Sequence, residues 1–438
     1  MVLRPGGRDV RAAPGEAYDF VTAVATGDMP PCRESLVDRT VAMIDVDLVR
    51  RDLAQLVSIP STGGSEGESL VQRWCAATLT GIGLDVDLWP LDLDALRADP
   101  DHPGEEVERT EAWGCVGTSG EGRPALILNG HVDVVPPGDT EAWTGGDPWH
   151  LRETDGRWYG RGVADMKGGV VAIIAAARAV SGLHLRRPFA VHTVIGEEDG
   201  GLGTFATLRR GHTGDACVIA EPTDHAIVAA NGGSLTFRLE IPGVSTHGSM
   251  RSSGVSAVEV FIAVHAALRE LEARRNDSPP APFGPLPWPI SVGIVHGGDW
   301  ASTVPDRLVV EGRHGVMPGE SFAEAEAAFE AAVAGADHPF LREQPAVVTW
   351  PGGRFAAGAL SPDHPFVAEV ADAVGTSAPM VGAPYGSDLR LYAGAGVPTV
   401  QYGPGDVRGA HALDENVAVD DVVECAEVYT RLILARCT

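Results

Sequence analysis

Two histidines and several acidic residues stand at the ends of apolar runs in this chain of 438 residues. Imidazole and carboxylate groups are the ligands that suit zinc and similar divalent ions. Two histidines and three carboxylates are enough for two metals that share a bridging carboxylate, which leaves one further carboxylate to act as a base. The pattern therefore predicts metal-assisted hydrolysis. The segments are LILNGHVDVV, GRGVADMKGG, VIGEEDGG, VIAEPT and GPGDVRGAHALDENV, and the residues are His131, Asp165, Glu197, Glu198, Glu221 and His411.

Asp133 follows His131 by two positions. On extended backbone, the two side chains point to the same side. We expect His131 to bind metal and Asp133 to accept the other ring N–H, which would fix the tautomer of the imidazole. The alternative interpretation of this pair is a polar turn at the end of a strand.

The acidic segment 197–199 lies between an apolar run and a group of glycines. Three acids at a buried strand end repel each other unless cations are near. One of them can bind a metal, and another can accept a proton from water. A solvated charged loop is the alternative. Taken singly, Asp165 is typical of a helix N-cap, Glu221 of a turn and His411 of the surface. A shared metal site accounts for all of these residues together.

The elements that must position these residues alternate between short apolar strands and helices. Alternation of this kind predicts an α/β fold with a largely parallel sheet. Each candidate ligand is expected to follow a strand at its carboxyl end, where open α/β sheets place their sites. We expect strands at 125–128, 189–195, 217–220 and 398–402, and helices at 46–59, 70–82 and 169–180.

The middle of the chain has a different pattern. Residues 234–241 alternate between apolar and polar positions, which is typical of a strand in a sheet with one solvated face. Residues 257–273 predict an amphipathic helix, with Val258, Phe261, Ile262, His265, Leu268 and Leu271 on one side. We therefore expect an inserted α+β unit at 230–352, between α/β segments at 41–229 and 353–438, after an N-terminal extension at 1–40.

The charge and the cysteines exclude several kinds of partner and site. The net charge is −27, from 33 basic and 60 acidic residues. Such a surface repels nucleic acid and anionic membrane, so we expect neither as a partner. The six cysteines form no CxxC pair, which is typical of a chain in a reducing cytoplasm. We find no stretch of signal-peptide or membrane-spanning type, so a cytoplasmic location is expected.

Taken together, these segments resemble the dinuclear zinc hydrolases typified by acetylornithine deacetylase, succinyl-diaminopimelate desuccinylase and carboxypeptidase G. The resemblance extends from about Val46 to the C terminus. It implies a zinc-exopeptidase-like catalytic domain interrupted by an inserted lid domain, through which two chains would form a homodimer. It also implies hydrolysis of an amide in a small N-acyl amino acid or related compound. The same site in an exopeptidase, either a dipeptidase or a carboxypeptidase, is the alternative. A metal-binding protein without catalytic activity is a further alternative.

The resemblance also implies a role for each metal-site residue. His131, Asp165 and Glu221 would hold one metal, while Asp165, Glu198 and His411 would hold the other. The metals would be zinc, with cobalt or manganese as alternatives. Glu197 would be the general base and later the acid. The peptide bond between Asp165 and Met166 would be cis.

The lid carries the residues that the resemblance connects with the substrate. His247, in GVSTHGSM, corresponds to a histidine that reaches the site of the partner subunit and stabilises the oxyanion. Ser302, in STVPD, stands where related chains commonly have asparagine, and Arg313 lies two positions away from the expected arginine. Asn231 and Gly386 complete the expected substrate-binding residues.

Overall fold

A computed structural model describes residues 35–375 and 378–438. Most of the extension predicted at 1–40 lies outside the described residues. None of the helices in the described ranges has an apolar stretch long enough to cross a bilayer. The helices are α1 (Leu36–Val41), α2 (Val46–Val57), α3 (Glu66–Ile82), α4 (Leu93–Ala98), α5 (Gly168–Ala179), α6 (Leu202–Arg209), α7 (Ala257–Arg275), α8 (Phe322–Ala334), α9 (Pro365–Val374), α10 (Leu389–Gly394) and α11 (Val419–Cys437). The strands are β1 (Asp85–Pro90), β2 (Trp113–Thr118), β3 (Leu126–His131), β4 (Arg152–Thr154), β5 (Arg157–Tyr159), β6 (Phe189–Val194), β7 (Cys217–Ile219), β8 (Ile227–Asn231), β9 (Gly233–Pro242), β10 (Ile290–Gly297), β11 (Arg307–Val316), β12 (Val347–Thr349), β13 (Arg354–Phe355), β14 (Gly358–Ala359), β15 (Met380–Ala383), β16 (Thr399–Gln401) and β17 (Asn416–Ala418).

The large sheet has the strand order β1-β2-β6-β3-β7-β16-β8-β14, and β15 also pairs with β8. Its central strands β6, β3, β7 and β16 are parallel to one another. The predicted α/β fold with a mostly parallel central sheet is confirmed. Because these four strands run in one direction, the segments that follow them meet at one edge of the sheet.

Helix α5, which packs on the central sheet, is apolar on nearly every side. Strands β3 and β6 are buried at each position. In α5, all residues but Arg178 are buried, as expected for a helix enclosed by other elements. The helix begins at glycines for a steric reason, since a Cβ on Gly169 would lie 2.2 Å from the carbonyl oxygen of Ala220. This close approach holds the start of α5 against the end of β7.

A second sheet of five strands, ordered β10-β11-β9-β12 with β13 also on β9, forms the middle of the chain. It has its own hydrophobic core, which includes Phe237, Val310 and Phe329 and contains residues of α7 and α8. Strand β9 alternates between buried and half-buried positions, as predicted. The sheet spans residues 233–355, whereas the insert was expected at 230–352, and the domain boundaries stay a prediction.

The face predicted for α7 is wrong in part. Leu268 and Leu271 are buried as expected, but Val258 and Ile262 are 44% and 63% exposed. The helix packs instead through a stripe that includes Val260 and Val264. The sequence offers two neighbouring apolar stripes, and tertiary packing against the second sheet decides which of them is buried. The other stripe is left at the surface.

Candidate metal centre

The predicted ligands come together at the carboxyl edge of the central sheet. His131 is the last residue of β3, and Glu221 lies two residues beyond β7. Glu197 and Glu198 follow β6, while His411 lies in the loop after β16. Asp165 lies in the distorted turn that leads into α5. Strand ends therefore supply most of the set, as the sequence pattern predicts, whereas Asp165 lies at the start of a helix and not directly after a strand.

Asp165 lies between the two histidines. Its Oδ1 is 2.9 Å from Nε2 of His131, and its Oδ2 is 3.5 Å from Nε2 of His411. Each carboxylate oxygen thus faces a different imidazole, which is the arrangement that a bridging ligand needs.

The remaining acids extend this cluster on both sides. Both carboxylate oxygens of Glu198 are near Nε2 of His411, at 3.2 and 3.1 Å. Oε2 of Glu221 is 3.9 Å from Nε2 of His131. The ligand atoms of His131, Asp165 and Glu198 lie within 4.8 Å of one another, and so do those of His131, Glu197 and Glu221. The two groups overlap at His131, so the described residues form one continuous set of donors.

The chemistry of this set fits divalent cations. Oε1 of Glu197 and Oε1 of Glu221 are buried and have no hydrogen-bond partner among the described residues. Burial raises the pKa of both glutamates well above its usual value, and the charges of neighbouring acids raise it further. Buried carboxylates with free oxygens are costly unless a cation accompanies them. A pair of metal ions would meet this need.

The surroundings of the two histidines also favour a positive charge at this site. Burial opposes protonation of His131, but its hydrogen bond with Asp165 and the charge of Glu221 outweigh burial and raise its pKa well above the usual value. Burial likewise opposes protonation of His411, while contacts with Asp165 and Glu198 raise its pKa to about 11. A metal ion takes the place of such a proton when it binds an imidazole.

Asp133 contacts the acidic segment rather than the imidazole ring. Nδ1 of His131 is 3.0 Å from the main-chain oxygen of Asp133, whereas the carboxylate Oδ1 is 3.7 Å away. The Asp133 carboxylate instead accepts the main-chain N–H groups of Glu197 and Glu198, at 3.3 and 3.2 Å. The expectation that this carboxylate fixes the tautomer is therefore corrected, since the main-chain carbonyl is the closer acceptor.

Residues 127–435 match the peptidase family M20/M25/M40. The chain belongs to this family. It is accordingly a hydrolase that acts on amide bonds and depends on a metal, and the predicted resemblance is confirmed.

Named relatives cover most of this M20 chain. The N-formyl-4-amino-5-aminomethyl-2-methylpyrimidine deformylase of Bacillus subtilis (strain 168) is 28% identical over 420 residues, which cover 90% of this chain and 94% of the relative. The acetylornithine deacetylase of Myxococcus xanthus is 31% identical over 344 residues, which cover 76% of this chain and 85% of the relative. The crystal structure of human carnosine dipeptidase 1 superposes with a TM-score of 0.72 at 17% identity, covering 91% of this chain and 99% of that one. The structural likeness shows a shared fold.

Sequence analysis missed Glu415, which holds the turn that carries Asp165 in this M20 chain. One oxygen of Glu415 accepts the main-chain N–H groups of Ala164 and Asp165. The other accepts the main-chain N–H of Gly162 and an N–H of the Arg161 guanidinium. The peptide bond after Asp165 is cis, as the resemblance implied. The signal that could have pointed to Glu415 is its place in HALDENV, four residues after His411.

Sequence analysis also missed the partner of the third acid in the segment 197–199. The buried guanidinium of Arg109 donates two hydrogen bonds of 2.8 Å to Asp199 and two more to Glu68. Asp199 is thus paired with Arg109 within the protein, while Glu197 and Glu198 face the candidate metal site. No local pattern connects these three residues.

A cavity of about 520 Å³ opens in front of the acidic segment. Glu197, Glu198, His411, Arg313 and Gly386 line it. A smaller recess of about 260 Å³ reaches Asp165 and Glu221. The cavity therefore gives a small molecule access to the candidate metal ligands.

The other predicted substrate residues do not line either space. His247 is exposed, with Nδ1 2.8 Å from the hydroxyl of Ser249. Ser302 lies beside it, where its carbonyl oxygen accepts the N–H of Gly248. Asn231 is buried and donates to the carbonyl oxygen of Gly232. The roles expected for His247, Ser302 and Asn231 stay predictions.

Proposed function

We propose that this chain removes an acyl group from a small N-acyl amino acid or related amide, using two divalent metal ions. The observation that carries the proposal is the position of Glu197. Its carboxylate is buried, has an oxygen without a hydrogen-bond partner among the described residues, and lines the cavity beside the metal ligands. A carboxylate with a raised pKa at such a place suits proton transfer near neutral pH.

The metal ligands are proposed as two overlapping sets. His131, Asp165 and Glu221 would hold one ion, while Asp165, Glu198 and His411 would hold the other. The separate contacts of the two Asp165 oxygens with the two histidines support the bridging role. Zinc suits these imidazole and carboxylate ligands, and cobalt or manganese would also be accepted by an oxygen-rich set.

When bound, such ions supply Lewis-acid chemistry and lower the pKa of water. Glu197 accepts a proton from the attacking water and then donates it to the amine nitrogen as the C–N bond breaks. The carboxylate of Asp133 keeps Glu197 in place by accepting the main-chain N–H of Glu197. His247 of the partner subunit is proposed to donate to the carbonyl oxygen as negative charge develops there.

The activities for which the relatives are named support a deacylase. The Bacillus subtilis relative is named as a deformylase and the Myxococcus xanthus relative as a deacetylase, so both remove a small acyl group. We infer that the substrate is a small molecule with a short acyl group on nitrogen. A dipeptidase or carboxypeptidase activity at the same site is the alternative that the experiment below distinguishes.

The inserted lid is proposed as the interface of a homodimer. Strand β10 is at the edge of the second sheet, and its Ile294 and Val295 are exposed, as is Ile262 on α7. An exposed apolar edge strand is a ready surface for pairing with a second copy. We expect Ile262→Glu to shift the protein to a monomer in size-exclusion chromatography with light scattering. Leu70→Glu, an exposed leucine on α3 outside the lid, is the matched control and should leave the oligomer unchanged.

The function is tested by amine release from N-formyl and N-acetyl amines, N-acyl amino acids and dipeptides, using purified protein loaded with zinc. We expect release from acylated compounds and none from dipeptides. Dipeptide cleavage alone would establish the peptidase alternative. No release from any compound, although two metals are bound, would reject the proposed hydrolysis.

A further inference from the structure

The cavity in front of the metal site has an acidic and partly apolar wall. Glu106, Glu197, Glu198 and Asp199 contribute carboxylates. Arg313 is the sole arginine or lysine among the described residues that line it. Apart from the candidate metal site itself, the state of Arg313 therefore decides whether a negatively charged group of a substrate finds a free cation there. The apolar lining comes from Val107, Val134, Val135, Phe355 and Pro384, with the ring of Tyr385.

Arg313 already binds two side chains of the protein. Its Nη1 lies 2.8 Å from Oε1 of Glu106 and 2.7 Å from the hydroxyl of Thr236. The same oxygen of Glu106 accepts a hydrogen bond from Thr236 at 2.5 Å. Glu106, Thr236 and Arg313 thus form a closed group, which joins the loop after α4 to strands β9 and β11 of the lid. The main-chain N–H of Gly353 adds a longer contact to Glu106 at 3.4 Å.

Two further arginines lie near this cavity, and both are also engaged. Arg390 is buried, donates to the carbonyl oxygens of Ser387 and Gly200, and stacks on the ring of Phe355 at 4.2 Å. Arg109 is buried between Glu68 and Asp199. Neither guanidinium can reach a substrate without breaking buried ion pairs or hydrogen bonds.

We propose that Glu106 is a specificity-determining residue, which neutralises Arg313 and makes the cavity select acylated amines without a carboxylate beside the scissile amide. This inference rests on the proposed function and narrows its substrate from N-acyl amino acids to the related amides that have no carboxylate at that place. A substrate carboxylate would have to compete with Glu106, which Thr236 and Gly353 hold in place, and it would meet the charge of Glu106 itself. An acylated amine without a carboxylate, by contrast, leaves the ion pair between Glu106 and Arg313 intact and packs its apolar part against Phe355.

The test uses two compounds that differ by one carboxylate, N-formylbenzylamine and N-formylphenylglycine. We expect the zinc-loaded protein to prefer N-formylbenzylamine in kcat/KM by about tenfold or more, the size of one charge-assisted hydrogen bond. Glu106→Gln should reduce this preference by about tenfold, because Arg313 becomes free while the amide still accepts from Thr236. Arg313→Gln should increase it, because Glu106 is left unpaired. A loosened lid would not move the preference in opposite directions.

Glu105→Gln is the matched control. Glu105 precedes Glu106 and pairs with Arg97 at 2.6 Å, but it does not line the cavity. Its substitution should leave the preference unchanged. A wild-type preference for N-formylphenylglycine, or equal preferences in wild type and Glu106→Gln, would overturn the proposal.

A binding measurement separates this proposal from the proposed function. In a Glu197→Gln background, calorimetry follows both compounds without turnover. If wild type hydrolyses neither compound but the added Glu106→Gln change strengthens binding of N-formylphenylglycine about tenfold, the selectivity stands and the proposed hydrolysis fails. If neither compound binds, or Glu106→Gln changes neither affinity, the selectivity proposal is overturned.

Discussion

The carboxylate of Asp133 accepts the main-chain N–H of Glu197 at 3.3 Å, and that of Glu198 at 3.2 Å. One buried acid thus orients the backbone of the two glutamates that are proposed as base and ligand. Burial raises the pKa of Asp133 to about 7, although the nearby His131 lowers it. The side chain acts on the acidic segment, while its carbonyl oxygen acts on the ring of His131.

The substitution Asp133→Asn tests this relationship. The amide replaces one acceptor oxygen by an N–H donor that would face another N–H, so Glu197 should lose its position. We expect kcat to fall about 10- to 100-fold while the zinc content stays at its wild-type value. Asp139→Asn, in an exposed turn where Asp139 accepts from Glu141, should leave kcat unchanged. Loss of zinc from Asp133→Asn would instead mean that Asp133 acts mainly through the proposed ligands His131 and Glu198.

Substitutions of the two adjacent glutamates are expected to have different effects on metal content and turnover. Glu197→Ala should keep both metals and lose about 10²- to 10⁴-fold in turnover, because a base is removed and the ligands remain. Glu198→Ala should lose at least one metal, since Glu198 contacts His411. Metal analysis with amine release measures both. The opposite result for the pair would exchange the roles of base and ligand.

Asp165→Ala should lose metal as well as activity. The carboxylate lies between His131 and His411, so its removal takes a ligand from both proposed ions at once. We expect the zinc content of dialysed protein to fall below that of Glu198→Ala. Two zinc ions retained per chain by Asp165→Ala would reject the bridging role.

The cluster of candidate ligands could be predicted from the sequence because each member follows a local signal. His131, Glu197 and Glu221 come after apolar runs that form parallel neighbouring strands, and parallel strands end at one edge. The period of two in β9 likewise predicted its buried face. These signals depend on residues that are close in the chain.

The supporting contacts could not be predicted, because their partners are far apart in the chain. Asp165 and Glu415 are separated by 250 positions, and Arg109 and Asp199 by 90. No spacing rule connects such residues before the fold brings them together. The prediction of the buried face of α7 was wrong in part for a related reason. Two apolar stripes fit the helical period, and packing against the second sheet decides which of them is buried.

Glu415 offers a test of how far the metal site depends on such a distant partner. Its two oxygens accept from Gly162, Ala164, Asp165 and Arg161 at 2.6 to 3.0 Å. Glutamine in its place has one acceptor oxygen and would turn N–H donors toward N–H donors. We expect Glu415→Gln to weaken zinc binding about 10- to 100-fold and to destabilise the fold by about 3–5 kcal/mol, because Arg161 loses its buried partner.

Zinc competition with a chelator and thermal unfolding measure the two effects of Glu415→Gln. Asp414→Asn is the matched control, since Asp414 is the preceding residue and accepts from Thr144 away from the metal ligands. That variant should bind zinc as the wild type does. If Glu415→Gln were destabilised but bound zinc with wild-type affinity, Glu415 would support the fold without positioning Asp165. If neither property changed, the turn that carries Asp165 would be held by its own backbone.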